Sequence, residues 1–599
     1  MPHEAQAVTA GPRRRPVRIA NCSGFYGDTL SAARDMVEGG PIDVLTGDYL
    51  AELTMFLLHK ARQRTGRGYA TTFLTQLEQV LGTCLERGIR VVANAGGLAP
   101  SLLAEEIGHL SSRLGLAPRI AYVAGDDLTP HLERLRKGGE DFAHLDDGRP
   151  LSVRTEPPVT ANAYLGGWGI TQALAAGADI VVTGRVTDAA LVSGPAAWWH
   201  GWSRTDWDRL AGAVIAGHVI ECGPQVCGGN YPFLEEIRDR RYPGFPLAEV
   251  DDDGSSVITK HPGTGGLVSP GTVTAQLLYE IGSPAYEGPD VIAHFDSVSL
   301  RSVGGDRVRI SGAQGSPPGE RLKVAMNFSE GFRNTMIFVI TGLGIEAKAD
   351  LAREQFLELL DGPAGFDDLD FRLLRFDHED ADDNTEAVAH LRITVKGPDE
   401  RRVGKAFSAL TTAMAVGSYA GLHTTTPPTP ATAFGSYWPA LVRREAVEHV
   451  VVLPDGRRCV VEHSPSGEPR TLRHETPSAP APTGPTRRVP LGLIAGARSG
   501  DKGGNANIGV WTRDDAAYTW LRDWLTTERL RDLLPEARDL VVRRHALPRL
   551  RALNFVVVGL LGEGVASTTR PDPQAKGLGE YLRSRYVEVP ACLLAAEGL

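Results

Sequence analysis

At 599 residues the chain is too long for a peptide binder or a disulfide-stapled miniprotein, and at roughly 150 residues per domain it has room for about four units, or fewer around a large α/β body. Charged residues make up 23% and hydrophobic ones 42%, with 68 Gly and 40 Pro, which is the make-up of a compact chain with many turns and excludes wholesale disorder. The 63 Lys and Arg against 73 Asp and Glu leave a net charge of −10, so no overall positive field exists to attract nucleic acid or anionic lipid.

Residues 1–16 carry Arg13, Arg14 and Arg15 with no apolar segment behind them, which reads as a disordered tail and not as a secretory signal. From residue 17 to about 192 one phrase repeats: a short β-branched run, a break rich in Gly, Asp and Asn, then an amphipathic stretch of helical length. The runs at 17–20, 42–45, 89–93, 119–123 and 179–183 are nearly continuous in apolarity, as strands buried on both faces of a parallel sheet must be. Between them, 50–62, 71–87, 102–114, 129–137 and 169–176 space apolar residues by three and four, which predicts crossover helices. The expected class is α/β with a large, mostly parallel sheet over a first sub-lobe at 17–260. From 261 to 475 the strands (291–293, 335–340, 391–395) and helices (273–281, 350–360) alternate more slowly, predicting an α+β lobe. The run at 476–488, TPSAPAPTGPTRR, predicts a Pro-rich linker. Residues 489–599 read as strand 491–495, strand 508–511, helix 516–533, strand 540–544, strand 553–560 and helix 575–585, a small ferredoxin-like α+β domain.

In an open parallel sheet, ligands sit beyond the carboxyl ends of the strands, where loops converge and helix N-termini point free N–H groups outward. The residues after each run are therefore the candidates. Asn21, Ser23, Gly24, Tyr26 and Asp28 follow the first; Asp48 the second; Asn94 and Gly96 the third; Asp126 and Asp127 the fourth; Arg185, Thr187 and Asp188 the fifth. Gly, Asn and Asp serve any such turn as caps, but five strand ends of this kind on one edge point to a shared site. Arg185 and Asp188, three apart, make either a plain ion pair or a guanidinium fork for an anion oriented by a carboxylate. Asp28 and Asp48 are turn aspartates or, if they share a pocket, an acid and a base set apart by mutual repulsion.

The segment 217–231, GHVIECGPQVCGGNY, offers Glu221 as an acid/base group and Asn230 as a polar contact. Its thiols, Cys222 and Cys227, read as small buried residues: no other Cys or His stands at zinc-like spacing, and His218 would serve a thiol nucleophile only if the chain folded back. The six cysteines are too scattered for a secreted disulfide framework, which predicts a reducing, cytoplasmic setting. Gly265, before the helix expected at 273–281, is a candidate backbone nest for an anion. Arg498 and Lys502 lie in GARSGDKGGNAN at 496–507, read as a cationic loop that clamps onto the large domain or onto a nucleotide-like handle. No H-E-x-x-H, G-x-S-x-G or G-x-G-x-x-G occurs, which disfavours a zincin, an α/β-hydrolase and a typical NAD enzyme. No window reaches the roughly 20 apolar residues of a membrane span.

Seven segments carry a resemblance: IANCSGFYGD (19–28), LTGDYLAELTM (45–55), ANAGGLAP (93–100), TGRVTDAAL (183–191), GHVIECGPQVCGGNY (217–231), GTGGLVSPGTVTAQLLYEIG (263–282) and GARSGDKGGNANIGVW (496–511). With them the chain resembles the acyclic terpene utilisation AtuA family from about residue 17 to 587. The resemblance implies a large AtuA-type domain followed by a small ferredoxin-fold domain. It also implies a place in the breakdown of branched acyclic compounds as coenzyme A thioesters, beside a biotin-dependent carboxylase. Family membership supplies a setting and no mechanism.

The leading expectation is an enzyme that adds or removes water, or cleaves a C–C bond, in a branched acyl thioester or carboxylic acid. Such chemistry needs a carboxylate base and N–H donors for an enolate oxygen, and no redox cofactor. Asp28, Asp48, Asp188 and Glu221 are its acid/base candidates, Arg185 its anion clamp, and Gly24, Gly96 and Gly265 its backbone donors. No cofactor is predicted beyond coenzyme A as part of the substrate. Two other readings stand beside it: a non-catalytic acyl-CoA-binding or assembly subunit of a carboxylase, and a divalent-metal hydrolase using Asp126, Asp127 and Asp188. An exposed edge on the small sheet predicts a homo-oligomer.

Overall fold

The structure, a computed structural model, describes residues 15–360, 365–470, 472, 482 and 484–596. Most of the tail expected at 1–16 and the body of the linker expected at 476–488 lie outside these residues. The linker's last residues do not form a linker: Thr486–Pro490 is a strand, paired antiparallel with Tyr586–Pro590. The chain forms two compact units. One holds the chain up to Met326, Tyr437–Val565 and the residues from Gln574 onward; the other holds Asn327–Ser436 and Ala566–Pro573. The chain therefore leaves the first unit at Met326, well beyond residue 260.

In the first unit every predicted apolar run becomes a strand: β1 (Val17–Asn21), β2 (Val44–Gly47), β3 (Arg90–Ala93), β4 (Ile120–Ala124) and, after a short β5 (Thr160–Ala163), β6 (Ile180–Thr183). They lie parallel in the order β1-β2-β3-β6-β4. Residues Ala20, Leu45, Val91 and Val182 share a core with Phe73, Leu77, Leu103 and Ile107 of the helices Thr71–Arg87 and Pro100–Arg113. Their neighbours along the strands, Ile19, Val44, Val92 and Val181, are fully buried as well. Strand side chains alternate between faces, so these point to the opposite side of the sheet. There the helices Ala190–His200 and Trp207–Ile220 pack on the strands at the β1 edge.

The sheet as a whole is mixed, which corrects the expectation of a mostly parallel one. β7 (Pro246–Val250) adds antiparallel to β1 and β8 (Ser256–Lys260) to β7, followed by Arg307–Ser311 and Ser299–Gly304. At the far edge Val450–Val452 and Arg458–Val460 add antiparallel to β4. Only the inner five strands are parallel in a sheet of eleven. The flanks are hairpins contributed from distant parts of the chain, and no repeated βα phrase announces them.

The last part of the chain forms a four-stranded antiparallel sheet, with Ala495–Lys502 next to Asn505–Thr512, then Ala552–Val557, then Val542–Leu547. The stretch read as a cationic loop is therefore a hairpin. Its turn is Gly503-Gly504, with Gly503 at φ +64° in the first central position, where a left-handed backbone favours glycine. Two-residue alternation then sorts its side chains. Ala495, Ala497, Ala506, Ile508 and Val510 face the domain's own core with Tyr518, Leu521 and Leu578. Gly496, Arg498, Gly500, Lys502, Asn507 and Gly509 lie on the other face, against the large domain. A Cβ on Gly500 would overlap the Tyr279 ring, and one on Gly509 would overlap Leu278. The helix expected at 516–533 is two, Asp515–Trp524 and Thr527–Leu533, because Thr526 caps the second with its side chain. Gly500→Ala is expected to cost about 1–3 kcal/mol by overpacking this face, measured by urea unfolding.

The second unit joins the distal part of the long strand Arg321–Thr341 to Val388–Gly397 and Asp368–Arg375. Met336, Phe338, Ile340, Phe356, Ile393 and Phe407 form its core, with the helices Ile345–Leu359 and Phe407–Gly417. Among the described residues, no helix is long and apolar enough to cross a membrane.

Candidate active site

The carboxyl ends of β1, β2 and β6 and the C-terminus of the helix Trp207–Ile220 enclose one cleft. It is lined by Asn21, Thr46, Asp48, Asp188, Gly217 and Glu221, with Leu191, Val192 and Ile220 as an apolar wall. The βα connections aim these groups at one another, as the strand-end argument requires. Asn21 Nδ2 donates to the carbonyls of Ile220 (2.5 Å) and Glu221 (2.9 Å) and so ties the first strand end to the helix end.

Asp48 is held by its neighbours. Its Oδ1 accepts from Asn94 Nδ2 at 2.6 Å and from the Leu50 N–H at 3.1 Å, while Asn94 Oδ1 accepts the Tyr49 N–H at 2.7 Å. Burial pushes the Asp48 carboxyl well above the ordinary carboxylate range and the charge of Asp188 pushes it further, against the pull of Arg185 and Asn94.

Arg185 is 3% exposed and Asp188 25%, and Nη1 of Arg185 lies 2.8 Å from Asp188 Oδ1 and 3.0 Å from the Leu50 carbonyl. The guanidinium sits 4.3 Å from the centre of the Tyr164 ring. Asp126, at the end of β4, supports this arrangement by accepting the Arg185 N–H (2.8 Å) and Asn162 Nδ2 (2.8 Å). Burial raises the Asp126 carboxyl to about 7. Asp127 Oδ1 accepts the Thr129 N–H at 2.9 Å. The aspartates of the metal-hydrolase reading are thus spent separately, and among the described residues no group of three or more His, Cys, Asp or Glu is placed to hold a metal ion.

Glu221 Oε1 is 3.0 Å from Nδ1 of His218, one helical turn earlier, and His218 Nε2 is 3.2 Å from the Gln276 carbonyl. Burial drives His218 down to about 4 and Glu221 well up, the latter helped by Asp188 and Glu280 and opposed by Lys502 and Arg185. One pattern joins the two: neutral His218 donates from Nε2 to Gln276 and accepts at Nδ1 from a protonated Glu221. Because the carboxyl of folded Glu221 is raised, the stability it contributes is full below the unfolded value and is lost as pH climbs through the folded one. Glu221→Gln is therefore expected to gain stability relative to the parent between pH 5 and pH 8, measured by urea unfolding at both; a constant difference would contradict the assignment.

Four groups that sequence reasoning did not single out complete the surroundings. Lys323 Nζ is 3.2 Å from Glu52 Oε1 and lies 5.0 Å and 5.6 Å from the ring centres of Tyr164 and Tyr437. Burial alone would raise Glu52, but Lys323, Lys502 and the Tyr437 hydroxyl hold it below its usual value. Glu280 takes a left-handed backbone, φ +55°, and its N–H donates to Asn507 Oδ1 at 2.7 Å. Asn507 in turn donates to Asn554 Oδ1, and Asn554 Nδ2 donates to the Gly282 carbonyl at 2.6 Å, so the small sheet holds this bend. Burial raises Glu280 also. A detectable signal existed for Glu52, one helical turn beyond Asp48, and for Glu280 within LLYEIG; Lys323 and Tyr437 sit on strands whose pairing is not local.

The other sequence candidates take varied places. Asp28 accepts the N–H groups of Gly24 (2.9 Å) and Thr29 (2.6 Å), the work of a turn aspartate. Ser23 Oγ donates to the Phe25 carbonyl, and Tyr26 Oη meets Thr71 Oγ1 at 3.4 Å. Gly24 passes against the backbone of Cys222, Gly96 against the Thr183 carbonyl and Gly265 against the Arg241 and Tyr242 carbonyls, so all three serve close packing. The helix after Gly265, Pro270–Leu277, is capped by its own Ser269 and Thr272. Thr187 lines a neighbouring hollow with Tyr286, Val214 and Val291. Asn230 turns the chain at φ +60°. Arg498 donates to Gln225 Oε1 and covers the Tyr279 ring at 4.0 Å. Lys502 reaches the cluster, 5.4 Å from the centre of the Tyr286 ring. Burial raises the thiols of Cys222 and Cys227, against use of either as a nucleophile.

A family model described as "Acyclic terpene utilisation family protein AtuA" matches residues 17–453, and one described as "AtuA ferredoxin-like domain" matches residues 489–588. No curated protein matches the chain.

Proposed function

Because the chain belongs to the acyclic terpene utilisation AtuA family, we propose that it is an enzyme of branched acyl breakdown that adds or removes water, or cleaves a C–C bond, by acid/base chemistry on an acyl thioester or carboxylic acid. The observation that carries this reading is the cleft in which Asp48, Glu221 and Asp188 meet beside one buried guanidinium. Carboxyl groups raised by burial beside one paired with a guanidinium offer both a donor and an acceptor of protons. Asp48 and Glu221, raised by burial, are the proton donors to an enolate or a departing hydroxyl. Asp188, paired with Arg185, is the acceptor of the proton α to the carbonyl. Leu191, Val192 and Ile220 offer an apolar wall to a branched chain.

Incubation of the purified protein with a panel of branched acyl thioesters and free acids, read by mass spectrometry, tests the proposal. A gain or loss of one water, or scission of the acyl chain, is expected from the parent and not from Asp48→Asn. No change in any substrate, or an unchanged rate in the variant, would overturn it.

A further inference from the structure

We propose that a second anion-recognition point lies beside the cleft, at Lys502 of the C-terminal hairpin, and takes a free carboxylate on the substrate in addition to the acyl group. The inference rests on the acid/base reading of the cleft and names the class of molecule it accepts.

Of the cations, Arg185 has Asp188 at 2.8 Å and Lys323 has Glu52 at 3.2 Å. Lys502, the third, makes no hydrogen bond and no ion pair with the described residues; its ammonium faces the Tyr286 ring at 5.4 Å. That ring is fixed by stacking on Phe295, centres 5.0 Å apart and planes at 19°. Glu52, Glu280 and Glu221 act on Lys502 only from beyond ion-pair distance. Glu52 is committed to Lys323, and burial favours the protonated forms of Glu221 and Glu280. Burial and the charge of Lys323 lower the proton affinity of Lys502, against the pull of Glu52, Glu280 and Glu221.

The fold fixes the lysine there. It is the last strand residue before the Gly503-Gly504 turn, on the face whose glycines seat on Leu278 and Tyr279. An ammonium is a point charge that a carboxylate or a phosphate can satisfy. The carboxylate is favoured because Glu221, one of the carboxyls that act on Lys502, also lines the acid/base cleft with its apolar wall.

Calorimetric titration of the full chain with glutarate, its monoamide and inorganic phosphate tests this. The parent is expected to prefer glutarate over the monoamide by about tenfold, Lys502→Met to lose that preference, and Lys502→Arg to keep it within a few-fold. Equal binding of the two ligands by the parent, a preference unchanged in Lys502→Met, or tighter Lys502-dependent binding of phosphate would each overturn the inference. Should Lys502→Met fold poorly, Lys502→Gln carries the comparison. The two proposals fail separately. Turnover of monoacyl thioesters without a glutarate preference removes this inference alone, and a Lys502-dependent preference without turnover of any thioester removes the acid/base reading alone.

Discussion

Asp48→Asn is expected to lower turnover by about 10²–10⁴-fold while leaving the thermal midpoint almost unchanged. The two expectations have one origin. Oδ1 of Asp48 receives Asn94 Nδ2 and the Leu50 N–H, and an asparagine oxygen accepts both in the same place. Burial favours the neutral form of the Asp48 carboxyl, so the substitution follows the folded state's own preference. It removes only the exchangeable acidic proton. Rates from the thioester screen and calorimetric melting of the same preparations check it. A midpoint that falls by many degrees while activity persists would assign Asp48 to the fold.

Arg185→Met is expected to cost about 3–5 kcal/mol in urea unfolding, the largest loss of stability of any change considered, because it strips the partner from a buried charge pair. The guanidinium holds Asp188, the Leu50 carbonyl and the face of Tyr164 together, so its removal leaves a carboxylate and a carbonyl uncompensated at once. Arg185→Lys keeps the charge and loses the planar fork, and is expected to recover only part of the loss. A double-mutant cycle with Asp188→Asn separates the pair from the packing. Stability within 1 kcal/mol of the parent in Arg185→Met, on the scale of about 0–1 kcal/mol for an exposed pair, would mean that the pair is effectively solvated.

What could be read from the residue order follows from which interactions are local. The five parallel strands and the helix Thr71–Arg87 were legible because β-branched runs and three-four spacing are properties of a few consecutive residues. The convergence of Asn21, Asp48 and Asp188 was legible for the same reason, since each ends a βα phrase. The antiparallel flanks were not, because β7 finds β1 more than two hundred positions away and nothing in either segment records it. The hairpin at 495–512 was misread for a different cause. Glycine, asparagine and lysine normally mark a solvated loop, but here they form a strand face pressed against Leu278 and Tyr279, where larger side chains would clash. Lys502 was therefore noticed for its charge and misplaced in its structure. Asp28 shows the opposite case, a residue type suited to catalysis that the local turn consumes.

The seat of that hairpin also bears on the timing of biogenesis. A ribosome delivers β1, β2 and β6 roughly three hundred positions before Lys502, an interval on the order of tens of seconds at about 5–20 residues per second. During that interval Glu280 lacks the Asn507 side chain that accepts its N–H, and Leu278 and Tyr279 are still uncovered. A nascent chain arrested before residue 495 would thus display greasy surface and an unfinished cleft, a ready target for chaperones, and competence would arrive only once the hairpin has emerged.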